Sequence, residues 1–143
     1  MRPFKPSDLA RILEIESRAF GDDAYPRQLF EEFFENYPAG FQVVTVKRQV
    51  AGYILGFASG GSGTIVSLAV DPDFQKRGLG IQLCRFLLSQ FERQGVTVCW
   101  LQVRAGNQPA IALYQSVGFQ TMRTLQHYYS DGGEALLMRR SFK

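Results

Sequence analysis

The sequence lacks the features that mark membrane, disulfide-rich and metal-binding proteins. None of its apolar runs approaches the roughly 18 residues that a membrane helix requires, and no signal-peptide pattern opens the chain. Its two cysteines, Cys84 and Cys99, stand in apolar runs without C-x-x-C spacing, which favours buried thiols in a reducing compartment over a disulfide or a zinc site. We therefore expect a soluble, cytoplasmic protein without a metal.

The chain also has little excess of charge of either sign. The formal net charge is +3, and the basic residues are scattered rather than gathered into a stripe, which argues against nucleic acid as a partner. Repeats, low-complexity tracts and linkers are missing as well. A length of 143 residues fits one domain over residues 1–143.

Hydrophobic periodicity predicts a mixed fold. Apolar residues at helical spacing indicate helices from a capping Ser7 or Asp8 to residue 18, over about 27–36, from 79 to Gly95, and from a capping Asn107 to Gly118. Apolar and β-branched runs indicate strands over 41–46, 50–57, 64–70, 96–103, 119–129 and 134–139. The expected class is α/β (α+β), with a mixed sheet of about seven strands flanked by about four helices in the order β-αα-βββ-α-β-α-ββ.

A glycine loop stands between the third of these strands and the helix that follows it. Its sequence is Gln75-Lys76-Arg77-Gly78-Leu79-Gly80. A helix start presents free backbone N–H groups and a positive dipole, and the two glycines let an anion approach the backbone. It is neither a Walker loop nor a dinucleotide fingerprint, since Leu83 stands where the latter needs a third glycine. Alone, the pattern fits a plain helix-start turn equally well.

The loop and a second pattern together resemble the GNAT superfamily of N-acetyltransferases. The loop matches that family's [QR]-x-x-G-x-[GA] signature, and a second signature reads Asn107-x-x-Ala110-x-x-Leu113-Tyr114-x-x-x-Gly118-Phe119. Within the family the chain is most similar to the ribosomal-protein alanine N-acetyltransferases (RimI-like), through Leu68-Ala69-Val70-Asp71-Pro72-Asp73-Phe74-Gln75, Val103-Arg104 and the late Tyr128-Tyr129 pattern. The resemblance spans about residues 1–140.

This resemblance implies acetyl-CoA as co-substrate and assigns its binding residues. The backbone of Leu68, Ala69 and Val70 would line the pantetheine arm and polarise the thioester carbonyl. Residues Gln75, Lys76, Arg77, Gly78, Leu79, Gly80 and Ile81 would hold the pyrophosphate, and Asn107 would reach the pantetheine chain. Tyr114 would be the general acid that protonates the departing thiolate. The alternative for Tyr114 is packing alone, on the apolar side of its helix.

The acceptor side follows the family less closely. Gln102 stands where the ribosomal-protein enzymes carry a glutamate, and a glutamine cannot take a proton, although it can position a water or the substrate. An α-amine, with a pKa about 7.7–8.0, needs a base less than a lysine near 10.4 does, which favours an α-amine acceptor. Water chains to Glu134, His127 or Tyr128 are alternatives for the missing base.

The resemblance places Tyr25, Pro26 and Tyr128 beside an acceptor peptide, although the same residues also suit ordinary packing. The expected function is transfer of acetyl to the N-terminal α-amine of a protein or peptide, a ribosomal protein among the candidates, by direct attack of the amine. Neither cysteine suits a covalent intermediate. Two alternatives are acetylation of a small amine, such as a polyamine, an amino acid or an antibiotic, and a silent acyl-CoA sensor.

Overall fold

A seven-stranded sheet organises the computed structural model, which describes residues 1–142. The strand order is β1-β2-β3-β4-β5-β7-β6, and all neighbours are antiparallel except β4 and β5. The strands are β1 (Arg2–Pro3), β2 (Phe41–Val46), β3 (Gln49–Ser59), β4 (Ser62–Val70), β5 (Val98–Arg104), β6 (Gln120–Leu125) and β7 (Ala135–Ser141).

Four α-helices cover the two faces of this sheet. They are α1 (Leu9–Phe20), α2 (Arg27–Asn36), α3 (Leu79–Arg93) and α4 (Gln108–Ser116). One apolar core joins α1 and α2 to the sheet around Ile12, Phe30 and Tyr53, and the other joins α3 and α4 to it around Leu87, Ile111 and Met138. The predicted fold class and element order are confirmed. Within residues 1–142, no helix combines the length and apolarity needed to cross a membrane.

Two local expectations are wrong. Strand β6 was expected to run to residue 129 but ends at Leu125, because His127 has a φ of 55°, which is incompatible with a strand, and Tyr128 and Tyr129 therefore lie in the loop after it. Asp8 does begin α1, but its carboxylate does not cap it. That carboxylate instead accepts hydrogen bonds from Arg2 and from the Lys5 N–H.

The central strands separate in the middle of the sheet. The parallel pairing of β4 with β5 ends at Thr64 and Trp100, so the following residues of β4 have no pairing with β5. A register shift in the β3–β4 pairing leaves Val66 as an extra residue between Ile65 and Ser67, a β-bulge that bends β4 at the same point. The separation opens a gap between the two strands beyond this point.

A buried carboxylate ties α1 to the end of β4. Asp71 is 1% exposed and accepts hydrogen bonds from the Arg11 guanidinium, the Arg18 guanidinium at 3.2 Å and the Asp73 N–H at 2.9 Å. Burial alone would raise the pKa of Asp71, but the Asp73 N–H and Arg11 outweigh it and lower that pKa below its ordinary value. Stability from this group is therefore present above the unfolded pKa of about 3.9 and is lost as pH falls through the lower folded value.

We expect Asp71→Asn to lower the free energy of unfolding by about 3 kcal/mol. This is the low end of the range for breaking a buried ion pair, because the Arg11 and Arg18 guanidiniums are both partly exposed. Urea unfolding at pH 7 measures the change. Asp73→Asn, at an exposed position two residues away, is the control and should change stability by no more than about 0.5 kcal/mol. A loss of similar size in both variants would contradict a special role for the buried carboxylate.

Candidate active site

Two cavities meet at the gap between β4 and β5. The larger has a volume of about 640 Å³ and lies against the start of α3, and the smaller has about 340 Å³ and lies against the end of α1. They share the wall residues Ala19, Phe20, Leu68, Asn107, Ala110 and Tyr114. Two ligands that enter from different sides can therefore meet beside Leu68 and Tyr114.

The larger cavity gathers most of the residues expected to bind acetyl-CoA. Its wall contains Leu68, Ala69, Val70, Gln75, Lys76, Gly78, Leu79, Gly80, Ile81 and Asn107. Arg77 is not on this wall, because its guanidinium lies over the Phe74 ring, 5.4 Å from the ring centroid. Arg18, which the sequence did not single out, contributes a further cation to the cavity.

The backbone at the start of α3 fits an anionic ligand. Lys76 and Gly78 have left-handed φ values of 66° and 76°, whereas Arg77 between them does not. This alternation turns the chain sharply before the helix begins. Such turns direct successive N–H groups to one side and form a concave anion site. A Cβ on Gly80 would lie 2.7 Å from Leu113 Cδ1, so the absence of a side chain keeps this wall open.

Two side chains fix the backbone around the gap. The Gln75 side-chain amide donates to the Val70 carbonyl at 3.2 Å and holds the end of β4 against the loop. The Asn107 side chain accepts from the Ala110 N–H at 3.3 Å, so it caps α4 as expected while lying on the wall of both cavities.

Tyr114 stands where the two cavities join. It is 8% exposed, its ring makes an edge-to-face contact with Phe119 at 5.8 Å, and its hydroxyl makes no hydrogen bond within residues 1–142. Burial raises the pKa of Tyr114 well above its ordinary value, and the neighbouring Cys84 and Cys99 act in the same direction. The phenol therefore stays protonated at working pH and can donate a proton into the gap.

The smaller cavity contains a buried carboxylate that the sequence analysis missed. Glu16 is 1% exposed and belongs to the wall of this cavity. Its oxygens accept hydrogen bonds from the Tyr53 hydroxyl, the Ser67 hydroxyl at 2.8 Å and the Tyr25 N–H at 2.9 Å. The carboxylate thus connects the loop after α1 to strands β3 and β4.

A hydrogen bond joins two residues predicted on the acceptor side, Gln102 of β5 and Tyr128 of the loop between β6 and β7. The Tyr128 hydroxyl donates to Gln102 Oε1 at 2.7 Å, and Gln102 is on the cavity wall. Tyr25 is also on the wall, whereas Pro26 and Tyr128 are on neither wall.

Arg104 joins the two loops that border this cavity. Its guanidinium donates to Asp23 at 2.6 Å and to Asp131 at 3.2 Å, and it lies 4.1 Å from the centroid of the Tyr129 ring. Asp23 belongs to the loop after α1, and Asp131 to the loop between β6 and β7. The mouth of the cavity is therefore held by charge pairs from opposite sides.

Other reactive side chains lie away from the gap. His127 and Glu134 are exposed and belong to neither cavity wall. Cys84 and Cys99 are buried free thiols, also absent from both walls, and burial raises the pKa of each to about 12. Such thiols are poor nucleophiles at neutral pH.

One signal in the sequence could have identified Glu16. Helix α1 places residues 9, 12, 13 and 16 on one face by helical periodicity, and Leu9, Ile12 and Leu13 are apolar. A glutamate at the fourth position of an apolar stripe is unusual, since buried carboxylates need partners. Those partners come from β3 and β4, which the local pattern does not contain.

Comparison with known proteins shows the family of this chain. The family model described as "Acetyltransferase (GNAT) family" matches residues 9–119. The [ribosomal protein bS18]-alanine N-acetyltransferase of Escherichia coli is 36% identical over 135 residues, which cover 92% of this chain and 90% of that protein. An N-alpha-acetyltransferase of Sulfurisphaera tokodaii is 32% identical, with 96% and 90% covered. The crystal structure of Ard1 from Thermoplasma volcanium is similar with a TM-score of 0.93 and 31% identity, and covers 98% of this chain and 95% of that one.

Proposed function

Because the chain belongs to the GNAT family and is an acetyl-CoA-dependent N-acetyltransferase, we propose that it acetylates the N-terminal α-amine of a protein or peptide. The observation that carries the acceptor assignment is the smaller cavity, whose wall contains both Glu16 and Tyr114 and whose mouth is bordered by two loops. An anion in a narrow cavity suits a single ammonium group, and the exposed loops suit the chain that follows it. A ribosomal protein is a candidate acceptor, since the E. coli relative is named for one.

In this proposal acetyl-CoA occupies the larger cavity and supplies an activated acetyl group. Lys76 and the N-terminus of α3 bind its phosphates, and Arg18 adds charge at the same wall. The end of β4 no longer pairs with β5, so the backbone groups of Leu68, Ala69 and Val70 are available to the thioester. Backbone N–H groups of this kind stabilise negative charge that develops on a carbonyl oxygen.

The acceptor amine attacks directly from the smaller cavity. Tyr114 donates its proton to the departing sulfur, which prevents the thiolate from returning. Gln102 cannot take a proton, and it lies on the cavity wall with its Oε1 held by the Tyr128 hydroxyl. We also propose a cytoplasmic location, where buried free thiols such as Cys84 and Cys99 remain reduced.

The test is an acceptor panel with acetyl-CoA. Purified protein is incubated with peptides that begin with Ala, Ser or Met, with N-terminally blocked peptides that contain lysine, and with spermidine, and the acetyl group is located by mass spectrometry. We expect acetylation at free α-amines and at least a hundredfold slower transfer to lysine, because a lysine amine holds its proton several hundredfold more tightly than an α-amine does. Faster transfer to spermidine would support a small-amine enzyme, and transfer to none of them would overturn the proposal.

A further inference from the structure

Glu16 carries a negative charge inside the protein without a cation to balance it. The groups that contact its carboxylate are all donors, the Tyr53 and Ser67 hydroxyls and the Tyr25 N–H, so both of its oxygens act as acceptors. None of the ion pairs formed within residues 1–142 includes Glu16. Since an unbalanced buried charge is costly, the cavity beside it favours a cationic ligand.

Ser67 connects this carboxylate to the place of reaction. It lies on the wall of the smaller cavity, immediately before Leu68, and its hydroxyl donates to Glu16 Oε1. Tyr53 also donates to Oε1, but it is fully buried and is not part of either wall. Of the two hydroxyls that donate to the carboxylate, that of Ser67 is therefore the one that belongs to the cavity wall, where it can also contact an acceptor.

We propose that Glu16 and Ser67 form the proton-accepting pair of the reaction, in which Glu16 attracts the acceptor as an ammonium ion and receives its proton through the Ser67 hydroxyl. The inference rests on the proposed α-amine acceptor. It gives the reaction a base although Gln102 cannot be one.

Each proton that moves in this reaction has a donor and an acceptor. The ammonium nitrogen gives one proton to Ser67 Oγ while Ser67 gives its own to Glu16 Oε1, and the freed lone pair forms the N–C bond to the acetyl group. The C–S bond breaks and the sulfur takes the Tyr114 proton. The second proton of the nitrogen restores the Tyr114 phenol as the amide forms, and Glu16 returns its proton to solvent through Ser67 after the product leaves.

The other charged and titratable groups around the smaller cavity are not available to accept the proton of the amine. Asp23 forms an ion pair with Arg104, which also pairs with Asp131, so these three charged groups already balance one another. The remaining titratable neighbours are phenols, neutral at pH 7: Tyr25, Tyr53, Tyr114 and Tyr129.

A matched pair of variants tests the relay, because Ser67→Ala and Tyr53→Phe each remove one hydroxyl that donates to Glu16 Oε1. With the peptide acetylated fastest in the acceptor panel, we expect wild-type kcat/KM to change less than threefold from about pH 8 to pH 6.5. In Ser67→Ala only the free amine reacts, so kcat/KM should fall about tenfold per pH unit below the amine pKa of about 7.7–8.0. Tyr53→Phe loses a hydroxyl that lies 3.1 Å from Ser67 Oγ but keeps Ser67 itself, so it should keep the shape of the wild-type pH profile whatever its absolute rate. Thermal melting verifies that both variants are folded.

A binding measurement gives an independent result. Peptide is titrated calorimetrically into protein loaded with CoA, at pH 6.5 and in two buffers of different ionisation enthalpy. The wild-type protein should release almost no protons, since it binds the ammonium form, whereas Glu16→Gln should release about one per peptide bound. If Glu16→Gln does not fold, the pair of hydroxyl variants decides alone.

The outcomes separate the two proposals. An unchanged pH profile in Ser67→Ala, or a parallel change in Tyr53→Phe, overturns the relay while α-amine acetylation stands. A wild-type protein that acetylates no α-amine overturns the acceptor assignment and the relay together.

Discussion

Replacing Tyr114 with phenylalanine should lower kcat by about 10²- to 10⁴-fold, the usual contribution of a general acid. The change removes one oxygen from the junction of the two cavities and leaves the ring in its contact with Phe119. Because that hydroxyl makes no hydrogen bond within residues 1–142, its loss breaks no hydrogen bond of the protein. The affinity for CoA should therefore stay within about twofold of the wild-type value, which equates to about 0.4 kcal/mol.

The raised pKa of Tyr114 decides how the acid behaves with pH. Burial keeps the phenol protonated throughout the range in which an α-amine becomes free, so activity should not decline between about pH 7 and pH 9 through loss of this proton. A thiolate formed in the same cavity is desolvated too, and its basicity rises for the same reason. The proton transfer thus remains feasible although the phenol is a weaker acid than in water.

Single-turnover kinetics with preformed acetyl-CoA complex separates the chemical step from product release. Tyr37→Phe, at an exposed tyrosine that is absent from both cavity walls, controls for the loss of a hydroxyl as such. If Tyr114→Phe retained the wild-type rate of acetyl transfer, Tyr114 would serve only in packing, and water would have to protonate the sulfur.

The cofactor side of the site could be predicted from the sequence because it is built from contiguous segments. The loop that contains Gly78 and Gly80, the helix that begins at Leu79 and the cap at Asn107 are each defined within about ten residues of chain. Helical periodicity and glycine positions determine such segments locally. Arg77 shows the limit of that approach, since the pattern gives its charge but not the stacking on Phe74 that directs it away from the cavity.

The acceptor side depends on contacts between distant parts of the chain. Glu16, Tyr53 and Ser67 come from α1, β3 and β4, and they meet only because the sheet pairs β3 with β4 and α1 packs across both. The bulge at Val66 and the early end of the β4–β5 pairing open the gap, and neither follows from strand propensity. Tyr128 reaches Gln102 from a loop that begins where a longer strand was expected.

Replacing Gly80 with valine should raise the KM for acetyl-CoA at least tenfold, equivalent to about 1.4 kcal/mol, with a smaller effect on kcat. A Cβ at this position would lie 2.7 Å from Leu113 Cδ1, so Leu113 must move, and both residues belong to the wall of the larger cavity. The added methyl groups also stand at the first turn of α3, where the backbone N–H groups must stay accessible to phosphate.

The matched control for this change is Gln82→Val. It places the same β-branched side chain at an exposed position of the same helix, two residues further on, and outside both cavity walls. Valine favours a helix more than glycine and less than glutamine does, so a KM raised only in Gly80→Val cannot come from a weakened helix and isolates the effect on the cavity. Equal KM values for acetyl-CoA in the two variants, measured by initial rates at saturating peptide, would mean that the phosphates do not lie against the start of α3.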